Sequence, residues 1–205
     1  MNSIIHGHKL LVLASTSISR RNLLQRLRIE FTMIAPDVDE TAYPDEAPIA
    51  LVKRLAEAKA KAGVQQVKGD ALIIGSDQVA CLDHVIIGKP GSRDAAIAQL
   101  EQASGRSVLF YTGLCVLDSA SGNLQTTCVP CKVYFRSLHR HTIENYVDLE
   151  PVLNCAGSFK SEGLGIALFE RIDGDDPTAL IGLPLISLVS MLEHFGVSLF
   201  AMKNR

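Results

Sequence analysis

Residues 13–24, with the sequence LASTSISRRNLL, place four hydroxyl side chains directly before two adjacent arginines. The stretch follows an apolar run that predicts a strand and leads into leucines at helical spacing. The start of a helix exposes backbone N–H groups and a partial positive charge, so hydroxyls and guanidinium groups there can complete a phosphate site. The alternative is helix capping by Ser17 or Ser19 with both arginines in solvent, which the stretch taken alone favours because such caps are common. It is not a Walker A loop, since the Gly-Lys-Ser/Thr ending is missing.

A carboxylate follows the apolar strand in ALIIGSDQV. Asp77 comes just past this strand, at the place where α/β sheets keep their ligand sites. There it can hold a divalent metal or accept a proton from water, although a turn-forming aspartate is the plainer interpretation. Gly75 predicts a close approach of the backbone to a ligand.

Further charged residues follow other predicted strands. Lys89 ends VIIGKP, and Asp39 and Glu40 lie in APDVDET. Each alone is more simply explained as a solvent-facing charge. Together with Asp77, they supply the parts that phosphate chemistry needs: carboxylates for a metal, cations for phosphate charge and an anion-binding helix start.

The elements that must position these residues alternate between strands and helices, with hairpins in between. Strands are predicted in KLLVLA and EFTMIAP, in a hairpin around Asp83-His84, and in a long hairpin over 107–136; helices are predicted in RRNLLQRL, 48–67, GSRDAAIAQLEQASG, about 140–149 and GLPLISLVSMLEHFG. This order predicts an α/β fold with a mixed, twisted sheet flanked by helices. The length of 205 residues fits one domain over residues 1–205.

Composition excludes several classes of partner. Lys and Arg total 20 against 22 for Asp and Glu, a net charge of −2, so we expect no nucleic acid as partner. We expect no membrane insertion, because no apolar run approaches the ~20 residues that cross a bilayer.

Five cysteines suggest no disulfide framework and predict a reducing, cytoplasmic location. Cys128 and Cys131 fall in a predicted strand, which argues against a redox or zinc role.

Seven short blocks of this sequence resemble the Maf family of nucleoside triphosphate pyrophosphatases. In chain order from residue 14 to 185 they are ASTSISRRNLL, DVDET, IIGSDQV, GKP, FYTG, CAGSFKSEG and IGLPL. GSFKSEG and GSDQV are most similar to the subgroup that acts on 7-methyl-GTP, and the dTTP and UTP subgroup is the alternative. The resemblance implies two lobes around a cleft, as in inosine triphosphatase, and metal-dependent hydrolysis between the α and β phosphates to a monophosphate and pyrophosphate.

The resemblance also implies residue roles. Asp77 would accept a proton and, with Glu40, hold a divalent cation (Mg²⁺, Mn²⁺ or Co²⁺). Phosphate contacts are implied for Ser15, Arg20, Lys53, Lys89 and Lys160, and base selection for Ser19, Gln78 and Glu162. The 7-methyl-GTP subgroup is expected to have an aromatic side chain where this chain has Ser19, and the chain has no tryptophan. Phe159 is the candidate for stacking on the base in its place.

A nucleotide-binding regulator of septum formation is the alternative from a different class. Because a mere binder needs no base, Asp77 with Glu40 and the lysines favours an enzyme acting on a small nucleotide. Glu162 suits guanine, whose N1–H and N2–H₂ lie side by side, although an exposed glutamate is the plainer interpretation. The oligomeric state is left open, with a homodimer as one alternative.

Overall fold

Seven strands form one sheet in the computed structural model, which describes residues 9–200. The strands are β1 (Leu10–Ala14), β2 (Thr32–Ile34), β3 (Ala71–Leu82), β4 (Val85–Ile87), β5 (Ser107–Asp118), β6 (Leu124–Phe135) and β7 (Phe169–Asp173). The helices are α1 (Ile18–Gln25), α2 (Pro48–Val64), α3 (Arg93–Ala103), α4 (Arg140–Leu149) and α5 (Leu185–His194), with short 3₁₀ helices at Ala156–Ser158, Leu164–Leu168 and Ala179–Ile181.

The sheet is mixed, as predicted. Its strand order is β2-β1-β3-β5-β6-β7, and β4 pairs with β3 outside this path. Among the described strands β1 runs parallel to β2 and β3, and the other pairs are antiparallel. The predicted strands, hairpins and helices are present with bounds shifted by a few residues, and β7 is an addition. The prediction that Asp77 comes just past its strand is wrong, because β3 continues to Leu82 and Asp77 lies inside it. Ser92 caps α3, because its side chain accepts a hydrogen bond from the backbone N–H of Ala95.

The structure of residues 9–200 does not test the expected domain extent, cellular location or oligomeric state. Between residues 9 and 200, no helix combines the length and apolar character needed to cross a bilayer. The single domain over residues 1–205 extends past the described residues and stays a prediction, as do the cytoplasmic location and the oligomeric state.

Cys128 and Cys131 lie on β6 as free thiols. Burial raises the pKa of the Cys131 thiol to about 11, which disfavours the reactive thiolate.

Side chains alternate along β3 and therefore join cores on both faces of the sheet. Near the start of the strand, Leu72 packs with Leu24 of α1 and Leu188 of α5. Ile73 points to the opposite face and packs with Ala60 of α2. Toward the end of the strand, Leu82 joins a separate core with α3 and α4. The cores formed with α1 and α5, and with α3 and α4, are the two predicted lobes.

A gap along one edge of β3 lies between these lobes. β5 pairs with one edge of β3 along nearly its whole length. On the other edge, β1 ends with Ala14 opposite Gly75, and β4 begins its pairing at Ala80. Residues 76–79 therefore have no strand from the described part of the chain beside them on that edge. The chain leaving β1 turns away there into α1, and a cleft opens.

Two glycines let α2 lie directly on the sheet beside this gap. A Cβ atom at Gly75 would lie 2.1 Å from the carbonyl oxygen of Ala56, and one at Gly113 would lie 2.1 Å from that of Val52. Both contacts are with helix backbone, so neither glycine could carry a side chain without moving α2. Gly75 thus makes room for a helix, and the prediction that it admits a ligand is wrong. The close approach fixes which residues of α2 face the cleft.

Candidate active site

The cleft at the middle of β3 has a volume of about 890 Å³. Eight of the ten predicted site residues line it: Ser15, Ser19, Arg20, Glu40, Asp77, Gln78, Lys89 and Lys160. Glu162 lines an adjoining compartment of about 200 Å³, and Ser19 and Gln78 border both spaces. The chain thus gathers residues from α1, β3 and four loops at one place.

Lys59, which was not among the predicted site residues, lies at the centre of the cleft. Lys59 Nζ lies 2.6 Å from Asp77 Oδ1 and 2.6 Å from Glu40 Oε1. Lys59 is 5 % exposed and Asp77 is 7 % exposed, whereas the Glu40 side chain is 50 % exposed. Burying an ammonium group costs several kcal/mol unless it is paired and hydrogen-bonded, and the two carboxylates provide that pairing. The triad joins α2, β3 and the acidic loop.

Lys53, the lysine of α2 implied to contact phosphate, is not brought to the cleft. Its side chain is exposed, and it lies outside the cleft lining. Six residues of helix separate it from Lys59, which places the two side chains about 120° apart around the axis. The packing of α2 against Gly75 and Gly113 turns Lys59 inward, so Lys53 points elsewhere. Lys89 and Lys160 do line the cleft, from the loop after β4 and the loop before Leu164–Leu168.

Residues 13–24 combine the two interpretations offered for them, since one side chain caps a helix and another points into the cleft. Ser17 caps α1, because its Oγ accepts from the backbone N–H of Arg20 at 3.3 Å. The Arg20 side chain nevertheless turns into the cleft, where Nε donates to the carbonyl oxygen of Gly182 at 2.9 Å and Nη1 to Ser15 Oγ at 3.4 Å. Arg21 is exposed. One arginine is therefore available for an anion in the cleft, beside a capped helix start.

The charges of the cleft act on each other's ionisation. Burial alone would raise the pKa of the Glu40 carboxyl. The hydrogen bond and charge of Lys59, with the charges of Lys89 and Arg20, outweigh burial and hold that pKa below its usual range. Burial lowers the pKa of the Arg20 guanidinium, and the charges of Asp77 and Glu40 oppose this effect. Glu40 is thus ionised at neutral pH and ready to bind a cation.

Two carboxylate oxygens of the triad remain for a metal ion. Glu40 Oε2 and Asp77 Oδ2 accept no hydrogen bond from another described residue, since Lys59 takes the other oxygen of each carboxylate. Mg²⁺ is commonly held by one or two carboxylates together with waters and substrate phosphates, so this donor set fits an ion that the substrate helps to bind. Within residues 9–200 there is no group of three or more His, Cys, Asp or Glu that could hold a metal.

The smaller compartment presents hydrogen-bond acceptors. Ser19 Oγ donates to Glu162 Oε1 at 2.7 Å, which leaves the second carboxylate oxygen of Glu162 for a ligand. Gln78 Nε2 lies 2.9–3.1 Å from Thr112 Oγ1 and from the carbonyl oxygens of residues 179–180. These contacts occupy both Nε2 protons, so Gln78 can offer only Oε1. A ligand edge with donors fits this compartment best.

Phe159, the candidate for stacking, belongs to an aromatic cluster. Its ring packs edge-to-face with Phe110, Phe135 and Phe169 at centroid distances of 5.3, 5.6 and 4.7 Å. It is 5 % exposed and forms part of the wall of the smaller compartment. Its position is set by the core, and its stacking on a base stays a prediction.

Solved structures resemble this chain only distantly. A Ham1 protein of Coxiella burnetii aligns with a TM-score of 0.44 and 19 % identity over 62 % of this chain and 73 % of that one. The Staphylococcus aureus Ham1 protein aligns with a TM-score of 0.43 and 16 % identity over 77 % of this chain and 90 % of that one. Likenesses at this level do not bear on the site.

Sequence relatives are much closer. A 7-methyl-GTP pyrophosphatase of Alcanivorax borkumensis is 54 % identical over 92 % of this chain and 95 % of that protein. A protein of the same name from Aliivibrio fischeri is 52 % identical over 92 % of this chain and 97 % of that protein. A family model described as Maf-like protein matches residues 10–195, which include the whole cleft. This chain therefore belongs to the Maf-like protein family.

Proposed function

We propose that this protein is a nucleoside triphosphate pyrophosphatase that hydrolyses 7-methyl-GTP to its monophosphate and pyrophosphate. The observation that carries the proposal is Lys59 held between Glu40 and Asp77 in a cleft that further cations line. Relatives named 7-methyl-GTP pyrophosphatase at 50–54 % identity support the choice of substrate.

The charges of the cleft suit a triphosphate. Such a chain carries about four negative charges at neutral pH, since the second pKa of a terminal phosphate is near 6. Four cations line the cleft: Arg20, Lys59, Lys89 and Lys160. Charge-assisted hydrogen bonds from such groups neutralise phosphate oxygens and hold them in register. Water can approach phosphorus only after this neutralisation.

Asp77 is the proposed base. Lys59 holds its Oδ1 at 2.6 Å, so Oδ2 is left for both roles, with one lone pair for a metal ion and the other to accept a proton from the attacking water. The residue lies on a strand paired with β5, opposite Gly113, which gives the carboxylate a rigid support. A divalent ion, when bound by Glu40 and Asp77, would add charge neutralisation and polarise the phosphate under attack. Lys59 keeps the two carboxylates together whether or not the ion is bound.

Activity is expected to require a divalent cation and to release pyrophosphate. The reason is the pair of carboxylate oxygens beside cations that suit phosphate. The measurement is the first phosphorus-containing product from a panel with 7-methyl-GTP, GTP, UTP and dTTP, with Mg²⁺ or Mn²⁺ and with excess chelator. Full activity in chelator, or orthophosphate as first product, would contradict the proposal. Absence of turnover on the entire panel would favour the non-catalytic regulator of septum formation.

We propose that the protein selects the nucleotide base through the hydrogen-bond acceptors of Glu162 and Gln78. Guanine offers N1–H and N2–H₂ side by side, which a carboxylate can accept together. Methylation at N7 adds a delocalised positive charge to the ring, which the charge of Glu162 favours further. Gln78, confined to its Oε1, would add a second acceptor. Both features favour 7-methylguanine over uracil or thymine.

Glu162→Gln is expected to harm 7-methyl-GTP selectively. The amide loses the charge and one acceptor, and a mispaired polar site can lower discrimination by about 10²-fold. The measurement is kcat/KM on 7-methyl-GTP and UTP, with Glu170→Gln, an exposed glutamate on β7, as matched control. An equal loss on both substrates would remove Glu162 from base reading, and a wild-type preference for UTP would favour the dTTP and UTP subgroup.

A further inference from the structure

A short turn presents backbone carbonyls to the side chains of the cleft. This carbonyl turn comprises residues 179–182, between Thr178 and the start of α5. Its oxygens accept from Arg20 Nε at 2.9 Å and from Gln78 Nε2 at 2.9 and 3.1 Å. Thr112 Oγ1 and Ser76 Oγ each lie 2.9 Å from an oxygen of the same turn. The orientations of the arginine and the amide therefore depend on where the turn lies.

The direction of the carbonyl turn depends on its last residue. Gly182 has a φ of +110°, in the left-handed region that favours glycine. A Cβ atom there would lie 3.4 Å from Arg20 Nε. That distance is an ordinary van der Waals contact, so the φ angle, and not a lack of space, is what favours glycine here.

Two buried side chains hold the carbonyl turn from behind. Asp176 Oδ1 accepts from the backbone N–H of Thr178 at 2.9 Å and from its hydroxyl at 2.6 Å, and Oδ2 accepts from the N–H of Ile186 at 2.7 Å. Thr178 Oγ1 also accepts from the N–H of Leu185 at 2.8 Å and lies 2.9 Å from the carbonyl oxygen of Leu183. The pair thereby ties the start of the turn to the first residues of α5.

Helix capping alone does not account for this arrangement. One hydroxyl acceptor is enough to cap a helix start. Thr178 Oγ1 already accepts from the backbone N–H of Leu185, the first residue of α5. Asp176 is 2 % exposed, and within residues 9–200 it forms no ion pair. A carboxylate buried without a cation is costly, and hydrogen-bond donors must compensate it. The three groups that donate to the Asp176 carboxylate belong to Thr178 and Ile186, which flank the carbonyl turn.

We propose that Asp176 and Thr178 are positioning residues that act on the reaction through the carbonyl turn. By fixing residues 179–182 they set Arg20 toward phosphate and restrict Gln78 to its acceptor atom. The roles of Arg20 and Gln78 rest on the proposed function, whereas the hydrogen bonds that position them do not. Neither positioning residue lines the cleft, so any effect on turnover must pass through the turn.

The test compares Thr178→Val, which keeps the shape but removes the hydroxyl, with Thr178→Ser, which restores it. Thr126→Val is the matched control, because Thr126 Oγ1 donates to Glu57 at 2.8 Å away from the cleft. Solvent exchange of the Arg20 Nε–H and Gln78 side-chain amide protons is measured by NMR, and kcat/KM is measured on 7-methyl-GTP. In Thr178→Val we expect exchange about tenfold faster and kcat/KM about 10–100-fold lower, with Thr178→Ser and the control near wild type.

The two readouts separate failure of this inference from failure of the proposed function. If the Arg20 and Gln78 protons exchange at the wild-type rate in a folded Thr178→Val protein, the inference is overturned whatever the activity. It is also overturned if the exchange rate rises equally in Thr126→Val. Faster exchange in a protein whose wild type hydrolyses no nucleotide supports the positioning and overturns the proposed function. Should Thr178→Val fail to fold, Asp176→Asn, which keeps the shape and one acceptor oxygen, is measured by the same criteria.

Discussion

Asp77→Asn is expected to lower kcat by about 10²–10⁴-fold, the range typical of a removed general base. The amide keeps the size of the carboxylate but cannot take a proton from water, and it weakens any metal held with Glu40. Its carbonyl oxygen can still accept from Lys59, so the fold should survive. Turnover of 7-methyl-GTP is measured at saturating substrate, and thermal unfolding is followed alongside.

The matched control is Asp70→Asn, an exposed aspartate that directly precedes β3. We expect it to turn over substrate at the wild-type rate. An Asp77→Asn protein that keeps more than about a tenth of wild-type activity would remove Asp77 from the base role. A loss explained by unfolding at the assay temperature would instead assign Asp77 to stability.

Lys59→Met is expected to lower kcat by about 10²–10³-fold, because the base loses the group that orients it. The thioether fills the space of the lysine stem but leaves Asp77 and Glu40 facing each other without a shared cation. Removing one partner of a buried charged pair also destabilises, and we expect the free energy of unfolding to fall by about 3–5 kcal/mol. Kinetics on 7-methyl-GTP and urea unfolding measure the two effects separately.

Lys61→Met is the control for this variant. Lys61 lies on the same helix and is mostly exposed. Among residues 9–200 its ion-pair partner is Glu57 at 3.3 Å, a surface contact worth little. The same measurement on Lys53→Met decides between the two lysines of α2. A larger loss for Lys53→Met than for Lys59→Met would restore the role of Lys53 that the family resemblance implies and overturn the role of the triad.

Elements with local signals could be predicted from the sequence. The apolar run of β3, the Ser92 cap and the proline before α5 each carry such a signal within a few residues. β7 carries none, because only Phe169 of its five residues is buried. It becomes a strand by pairing with β6, a partner more than 30 residues earlier in the chain. No pattern inside FERID predicts that pairing.

The candidate site was predictable wherever a residue follows a predicted strand. Asp77, Lys89 and Glu40 were found in this way. Asp77 lies inside β3 and not past its end, and it meets the other two because the loops after β2 and β4 come together at the gap beside residues 76–79. Lys59 lies in the interior of a helix, and its direction depends on how α2 packs against the sheet. A signal did exist: Lys59 follows Leu55 at the four-residue spacing of the buried face. A lysine on an apolar stripe is a candidate for a buried ion pair.

The unbroken course of β3 and β5 through both lobes limits how the protein can move. Backbone pairs run without interruption from Leu72–Asp118 to Cys81–Leu109, across the gap where the cleft opens. Bending one lobe toward the other would break these pairs, so the sheet cannot serve as a hinge. Closure over a nucleotide is left to the segments outside the sheet, the loop that carries Glu40 and the loop that carries Lys160. The proposed base is thus held on paired sheet backbone, whereas Glu40 and Lys160 are carried on loops outside the sheet, the kind of segment that closes over substrates in other enzymes.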